Sequence, residues 1–178
     1  MNRRKFIRNI VSTSILSLGG ISAYQYYQQT QLVPPKKDDF NYKFLTENDR
    51  VLLEVITPVF LSGMSYQQSV KLNIIFQNID SAIIRLSMQT QEELRDLFNL
   101  LASAFGRLTL ANIWINWQSA SSESVDLFLT EWRDSHLDLL QTAYRGLHKL
   151  IIGSVYSEEN SWSTIGYAGP PKIKFAQA

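Results

Sequence analysis

An all-α fold is what this chain predicts, an irregular multi-helix bundle with a non-helical C-terminal strap, and three observations carry the expectation. From Phe44 onward the apolar residues recur at three-and-four spacing, the period of one helix face. Side chains able to accept from orphan N–H groups stand just ahead of the apolar stretches. Sustained period-two alternation, the mark of a half-buried strand, does not appear.

The first helix is opened by Thr46-Glu47-Asn48-Asp49 and carries Val51, Leu52, Val55, Ile56, Val59 and Phe60 as its stripe. Pro58 removes a donor and is expected to kink the last turn, and Gly63 ends the element. A second helix is expected from about Tyr66 to Leu86, with Val70, Ile74, Ile75, Ile79, Ile83 and Leu86 on one side. Its β-branched content raises a strand reading, which the absence of alternation outweighs. In the third, Thr90-Gln91-Glu92-Glu93 fits a capping box ahead of Leu94, Leu97, Phe98, Leu101, Ala104, Phe105 and Leu108. Past Gly106 the register is irregular, and a short helix carrying Trp114 and Trp117 is the expectation. Ser121 or Ser122 caps a helix from Val125 to Asp134. Ser135, with Asp138 three residues on, caps a last long one through Leu137, Leu140, Tyr144, Leu147, Ile151 and Val155. From Glu158 the chain reads as non-helical strap.

Composition bounds the function. The chain has 178 residues, no cysteine, and 17 Lys plus Arg against 16 Asp plus Glu. Without cysteine there is no disulfide framework, thiolate metal site or thiol nucleophile. Arg3, Arg4, Lys5 and Arg8 are the only charges before residue 36, so the rest of the chain is mildly acidic. That balance gives no footprint for nucleic acid, where clustered bases must replace counterions along the phosphates.

Residues 1–23 form an address segment. A basic start leads into an apolar stretch from Ile10 to Ala23, diluted by serines and glycines and shorter than the roughly 20 residues a bilayer-spanning helix needs. Asn2, Arg3, Arg4, Lys5, Phe6, Ile7 and Arg8 resemble a twin-arginine translocation motif, with Arg3, Arg4, Phe6 and Ile7 in its defining slots. The resemblance implies export of an already folded protein to the periplasm by the twin-arginine translocase. Ile21 and Ala23 match the Ala-x-Ala cleavage pattern only loosely, which leaves both a removed leader and a retained membrane tether open. Residues 24–43, Gln-rich and then Pro34-Pro35-Lys36-Lys37-Asp38-Asp39, read as a linker, and 44–178 as the folded domain.

Candidate chemistry is sparse. His136 and His148 are twelve apart, which puts them roughly 120° from one another around a shared helix, so they do not face one metal together. Asp134 and Asp138 flank His136, and Glu92-Glu93 opens a helix; carboxylates at helix starts are favoured by the helix dipole, a plainer reading than an acid-base pair. There is no Gly-rich phosphate loop, G-x-S-x-G, H-E-x-x-H or C-x-x-C-H. The residues therefore predict neither a catalytic centre nor a bound cofactor or metal. What that leaves is aromatic. Trp162, Tyr167 and Phe175 lie in a Gly/Pro-rich tail, and Trp132 lies between charged neighbours; large amphipathic rings of this kind anchor interfaces or strap a tail to its own bundle.

The leader, the Leu45-Thr46-Glu47 helix start, the Trp132-Arg133-Asp134-Ser135 step and the closing Trp162-Ser-Thr-Ile-Gly166-Tyr167-Ala-Gly169-Pro170-Pro171 together resemble the small subunit of bacterial membrane-associated, FAD-dependent sugar-alcohol and sugar-acid dehydrogenases. Sorbitol, fructose and gluconate 2-dehydrogenases have such subunits. The resemblance implies a non-catalytic accessory chain that binds no flavin and no haem itself. It stabilises a large subunit of the glucose-methanol-choline type, which holds the FAD, and supplies the export leader, often beside a multihaem cytochrome c subunit. It further implies that Trp132, Trp162, Gly166, Tyr167, Gly169 and Pro170 belong to the partner interface. An independent periplasmic helical protein with a small ligand in its core is the alternative, although the sequence shows no inward polar cluster to support it.

Overall fold

The computed structural model describes residues 38–64, 70–103, 106, 116–163 and 166–170. The leader, most of the linker, the expected start of the second helix, and Phe105, Leu108, Trp114 and Phe175 lie outside them. The architecture is all-α, with no strand among the described residues. Helix α1 spans Glu47–Phe60, α2 Leu72–Ile83 and α3 Met88–Ala102; a 3-10 turn at Trp117–Ser119 precedes α4 at Ser122–Arg133, α5 at Asp138–Tyr156 and α6 at Glu159–Trp162.

Helix α1 is the centre of the bundle. It packs on α2, α3, α4, α5 and the 3-10 turn, while α5 spans α2 and α4 and carries α6 on its end. A helix surrounded in this way has little solvent face, so Leu53 and Thr57 are buried along with the expected Val51, Leu52 and Ile56. Around it the core draws Ile75, Ile79 and Ile83 from α2, Phe98 and Leu101 from α3, Val125 and Phe128 from α4, and Leu147, Ile151 and Val155 from α5. Pro58 sits inside α1, which runs on to Phe60. Gly63, at φ 80°, turns the chain out of α1 through left-handed backbone that only glycine adopts freely.

Helix starts divide into those the sequence marks and those it misplaces. Thr46 caps α1 in a full capping box: its hydroxyl accepts from the Asp49 amide, and the Asp49 carboxylate accepts from the Thr46 amide. Ser121 caps α4 by accepting from the Ser124 amide. The expected cap Thr90 is instead the third residue of α3, because Ser87 accepts from the Thr90 amide and Met88 and Gln89, both good helix formers, extend the helix one turn earlier. Ser135 does not cap α5. Leu137 holds the cap position without a side-chain bond, and the Ser135 hydroxyl accepts from the Leu137 amide in a local turn two residues long.

Two boundaries also shift. The strap is not wholly non-helical, since Glu159–Trp162 makes one helical turn, with the Ser161 hydroxyl donating to the Glu158 carbonyl. Residues Asp38–Lys43, expected as the end of the linker, lie on the body of the fold: the Tyr42 hydroxyl donates to Asp38, the Arg50 guanidinium stacks over the Tyr42 ring, and the Lys43 amide donates to Asp80 of α2. Buried Asp80 and the Arg50–Tyr42 stack hold a segment that its acidic start and the two prolines just ahead of it suggested was solvated.

Candidate functional site

The residues expected at a partner interface fall in two places. Trp132 is in the core, 1% exposed, its ring edge-on to Phe128 at 4.7 Å between centroids. The physical reason is register: on α4, Trp132 follows Phe128 by four and Val125 by seven, so it shares their inward stripe, while Glu131 and Arg133 point to solvent. Its ring area is already buried inside the chain. Trp117 continues the same aromatic layer, packed on Phe128 at 5.7 Å and donating its indole N–H to the Leu101 carbonyl at 2.8 Å.

The other five residues come together at the end of α5. The Trp162 indole N–H donates to the Tyr156 carbonyl at 2.8 Å, which lays the ring back along the helix terminus. The chain then turns through Gly166, at φ 70°, and the Tyr167 amide donates to the Trp162 carbonyl at 2.9 Å. The Tyr167 ring meets the Trp162 ring edge-on at 5.4 Å. Gly169, at φ 90°, passes beneath the indole so closely that a Cβ there would lie 3.0 Å from Trp162 Cζ3. The Trp162…Gly-Tyr-x-Gly-Pro spacing is thus a local device: two left-handed glycines fold the tail around one indole, and Pro170 follows the second. The outer edge stays open, with Tyr156 37% and Tyr167 48% exposed and Gly166 and Pro170 at the surface. Large rings held rigid by short backbone bonds and left half-wet are what a protein interface uses.

A polar cluster that the sequence did not signal lies at the start of α1. Asp80, on the inner face of α2 and 1% exposed, accepts from three successive amides: Lys43 at 3.0 Å, Phe44 at 2.9 Å and Leu45 at 2.7 Å. Asp49, also buried, pairs with Arg95 of α3 at 2.7 Å. Arg95 also donates to the Phe44 carbonyl and lies 4.2 Å over the Phe44 ring. Every carboxylate here is engaged with backbone or guanidinium, an arrangement that holds chain rather than a reactant. Asp80 appears in the sequence as one polar residue between Ile79 and Ser81; three-residue spacing on an apolar helix face was the only available hint. Beside this cluster, Phe44, Met88, Gln91, Glu92, Arg95 and Asp96 line an open depression of about 270 Å³.

The histidines do not converge. His136 is exposed in the turn before α5; His148 is part of a ring group with Phe60 at 5.7 Å and Tyr144 at 6.0 Å. Asp134 binds Arg133, its neighbour in sequence, at 2.9 Å, and that hydrogen bond holds its carboxyl below the usual range. Burial, then the hydrogen bond to Asp38, pushes the Tyr42 phenol above the ordinary tyrosine range. Among the described residues no group of three or more His, Asp or Glu is placed to hold a metal, and no helix is long and apolar enough to cross a membrane. Comparison of the chain with protein-family models, with curated proteins and with solved structures finds no match.

Proposed function

We propose that this chain is a non-catalytic accessory subunit that binds, stabilises and escorts an FAD-dependent dehydrogenase large subunit to the periplasm through a twin-arginine leader. The observation that carries the reading is the closing Trp162–Pro170 element, a rigid aromatic knot whose outer edge of Tyr156 and Tyr167 is exposed and has the composition of an interface core. The leader residues Arg3 and Arg4 add the second support, because export after folding suits a chain that travels with a cofactor-loaded companion. The electron-transferring flavin belongs in that companion, and a multihaem cytochrome c is a further candidate member of the assembly.

Affinity purification of the full chain from its native membranes, with mass spectrometry and a visible spectrum of the eluate, tests this. The expected result is a larger yellow protein whose flavin absorbance co-elutes with the chain. Recovery of the chain alone under mild extraction, colourless and fully stable, overturns it. Replacing Tyr167 by Ala should weaken the co-elution while leaving the helical circular dichroism unchanged.

A further inference from the structure

The segment Asp38–Leu45 lies ahead of α1 with no helix of its own, yet its backbone is held by side chains of α2 and α3. Asp80 of α2 accepts from the amides of Lys43, Phe44 and Leu45, and Arg95 of α3 donates to the Phe44 carbonyl, contacts that bridge 35 to 51 positions of sequence. Helix α1 enters through Asp49, which pairs with Arg95, and Arg50, which covers the Tyr42 ring. Asp80 supplies the seat, and α3 and α1 complete it. The Asp80 carboxylate faces a mirrored requirement, because it is buried and its bonds run to the segment rather than to its own helix.

We propose that Asp38–Leu45 is a latch seated on Asp80, which closes only on the assembled α1, α2 and α3 and opens locally, without melting the α4 and α5 side of the bundle. Closure needs Asp80, Arg95 and Asp49 in register, so it reports completion of that half of the fold. Tyr42, bonded to Asp38 and covered by Arg50, and Gln77 of α2, which reaches Asp38 at 3.4 Å, secure the outer end.

Limited trypsin digestion of the full chain reads the latch directly, because Lys43 is exposed while its backbone is inside the seat. Asp80→Asn keeps the size and one acceptor but turns an amide donor toward the segment's N–H groups. It should speed cleavage after Lys43 about tenfold or more while cleavage after Arg145 and Lys149 of α5 is unchanged. An unchanged rate at Lys43 overturns Asp80 as the seat, and equal acceleration at all three sites overturns local opening. Hydrogen exchange on the unaltered chain is independent of how the variant folds. The amides of Phe44 and Leu45 should exchange about a hundredfold or more slowly than free peptide, and free-peptide rates there overturn the proposal. Neither measurement depends on export or on a partner, so failure of the latch and failure of the accessory-subunit reading are distinguishable.

Discussion

Arg95 makes a charge pair, a carbonyl hydrogen bond and two ring contacts from one guanidinium. Removing one partner of a buried pair leaves the other charge stranded, and that penalty exceeds the worth of the pair itself. Because Arg95 is 27% exposed, solvent takes up part of the loss, and Arg95→Met should cost about 2–3 kcal/mol in urea unfolding. Arg95→Lys keeps the charge but not the planar fork, and should recover less than half of it. A loss under about 0.5 kcal/mol for the methionine variant would show that Asp49 finds another partner. Tyr42 sets a pH dependence of definite sign. Its folded-state pKa is raised, first by burial and then by Asp38, so its contribution is fully present below the ordinary tyrosine value of about 10 and is lost as pH rises through the folded value. Stability should therefore fall more steeply above about pH 10 for the native chain than for Tyr42→Phe, and parallel profiles would remove Tyr42 as the cause. Asp80, Asp49 and Arg95 illustrate what sequence patterning does not reveal: a polar residue at a core position looks like noise until its partners, distant in sequence, are known.

Helix caps are where local sequence spoke most clearly, and also where it misled. Thr46 and Ser121, the latter as one of two candidates beside Ser122, were legible because each stands four or five residues ahead of an apolar stripe, with carboxylates in between. Ser87 and Ser135 were not, since a hydroxyl can accept from an amide either in a cap or in a turn, and only the backbone path decides which. Thr46→Ala should cost about 1 kcal/mol, whereas Ser135→Ala, with no capping bond to lose, should cost no more than a few tenths, and thermal unfolding of the two variants separates these outcomes. The closing element yields a different contrast. Gly169→Ala would place a methyl group 3.0 Å from the indole on backbone at φ 90°, costing about 1–2 kcal/mol locally. Near-ultraviolet dichroism of the Trp162–Tyr167 pair should change while the bundle's midpoint holds, and a fall in both would mean that the knot and bundle unfold together. Its glycine spacing could be read in the sequence; that the glycines serve an indole inside the chain could not, because the turn back from α5 runs through Trp162 and the single helical turn of α6.

Across the whole molecule, the all-α class and most of the core followed from period alone. Every helix with a strong stripe is present, and Ile75, Ile79, Ile83, Leu94, Phe98, Leu101, Leu147, Ile151 and Val155 are buried as the spacing picks out. Leu86 and Leu137, expected on the same faces, instead lie beyond the helix ends and are exposed, and Phe76 is buried outside the expected set. The centrality of α1 did not follow, since a helix wetted on one side and a helix enclosed by four others differ by only a residue or two, here Leu53 and Thr57. Nor did the burial of Trp132, whose charged neighbours in sequence fall on the opposite side of α4. Trp132→Ala should cost about 3–5 kcal/mol, a loss large enough to approach the stability of a small domain, and the variant should be recovered in reduced yield. A loss near 1 kcal/mol would place the ring at a surface after all. The pairing of α2 with α5 has a consequence during synthesis. About 55 residues separate the end of α2 from the start of α5, which at roughly 5–20 residues per second is several seconds of ribosome travel. Through that interval Ile75, Ile79 and Ile83 have no α5 to cover them, so the nascent chain should be a client of holding chaperones until its fifth helix emerges.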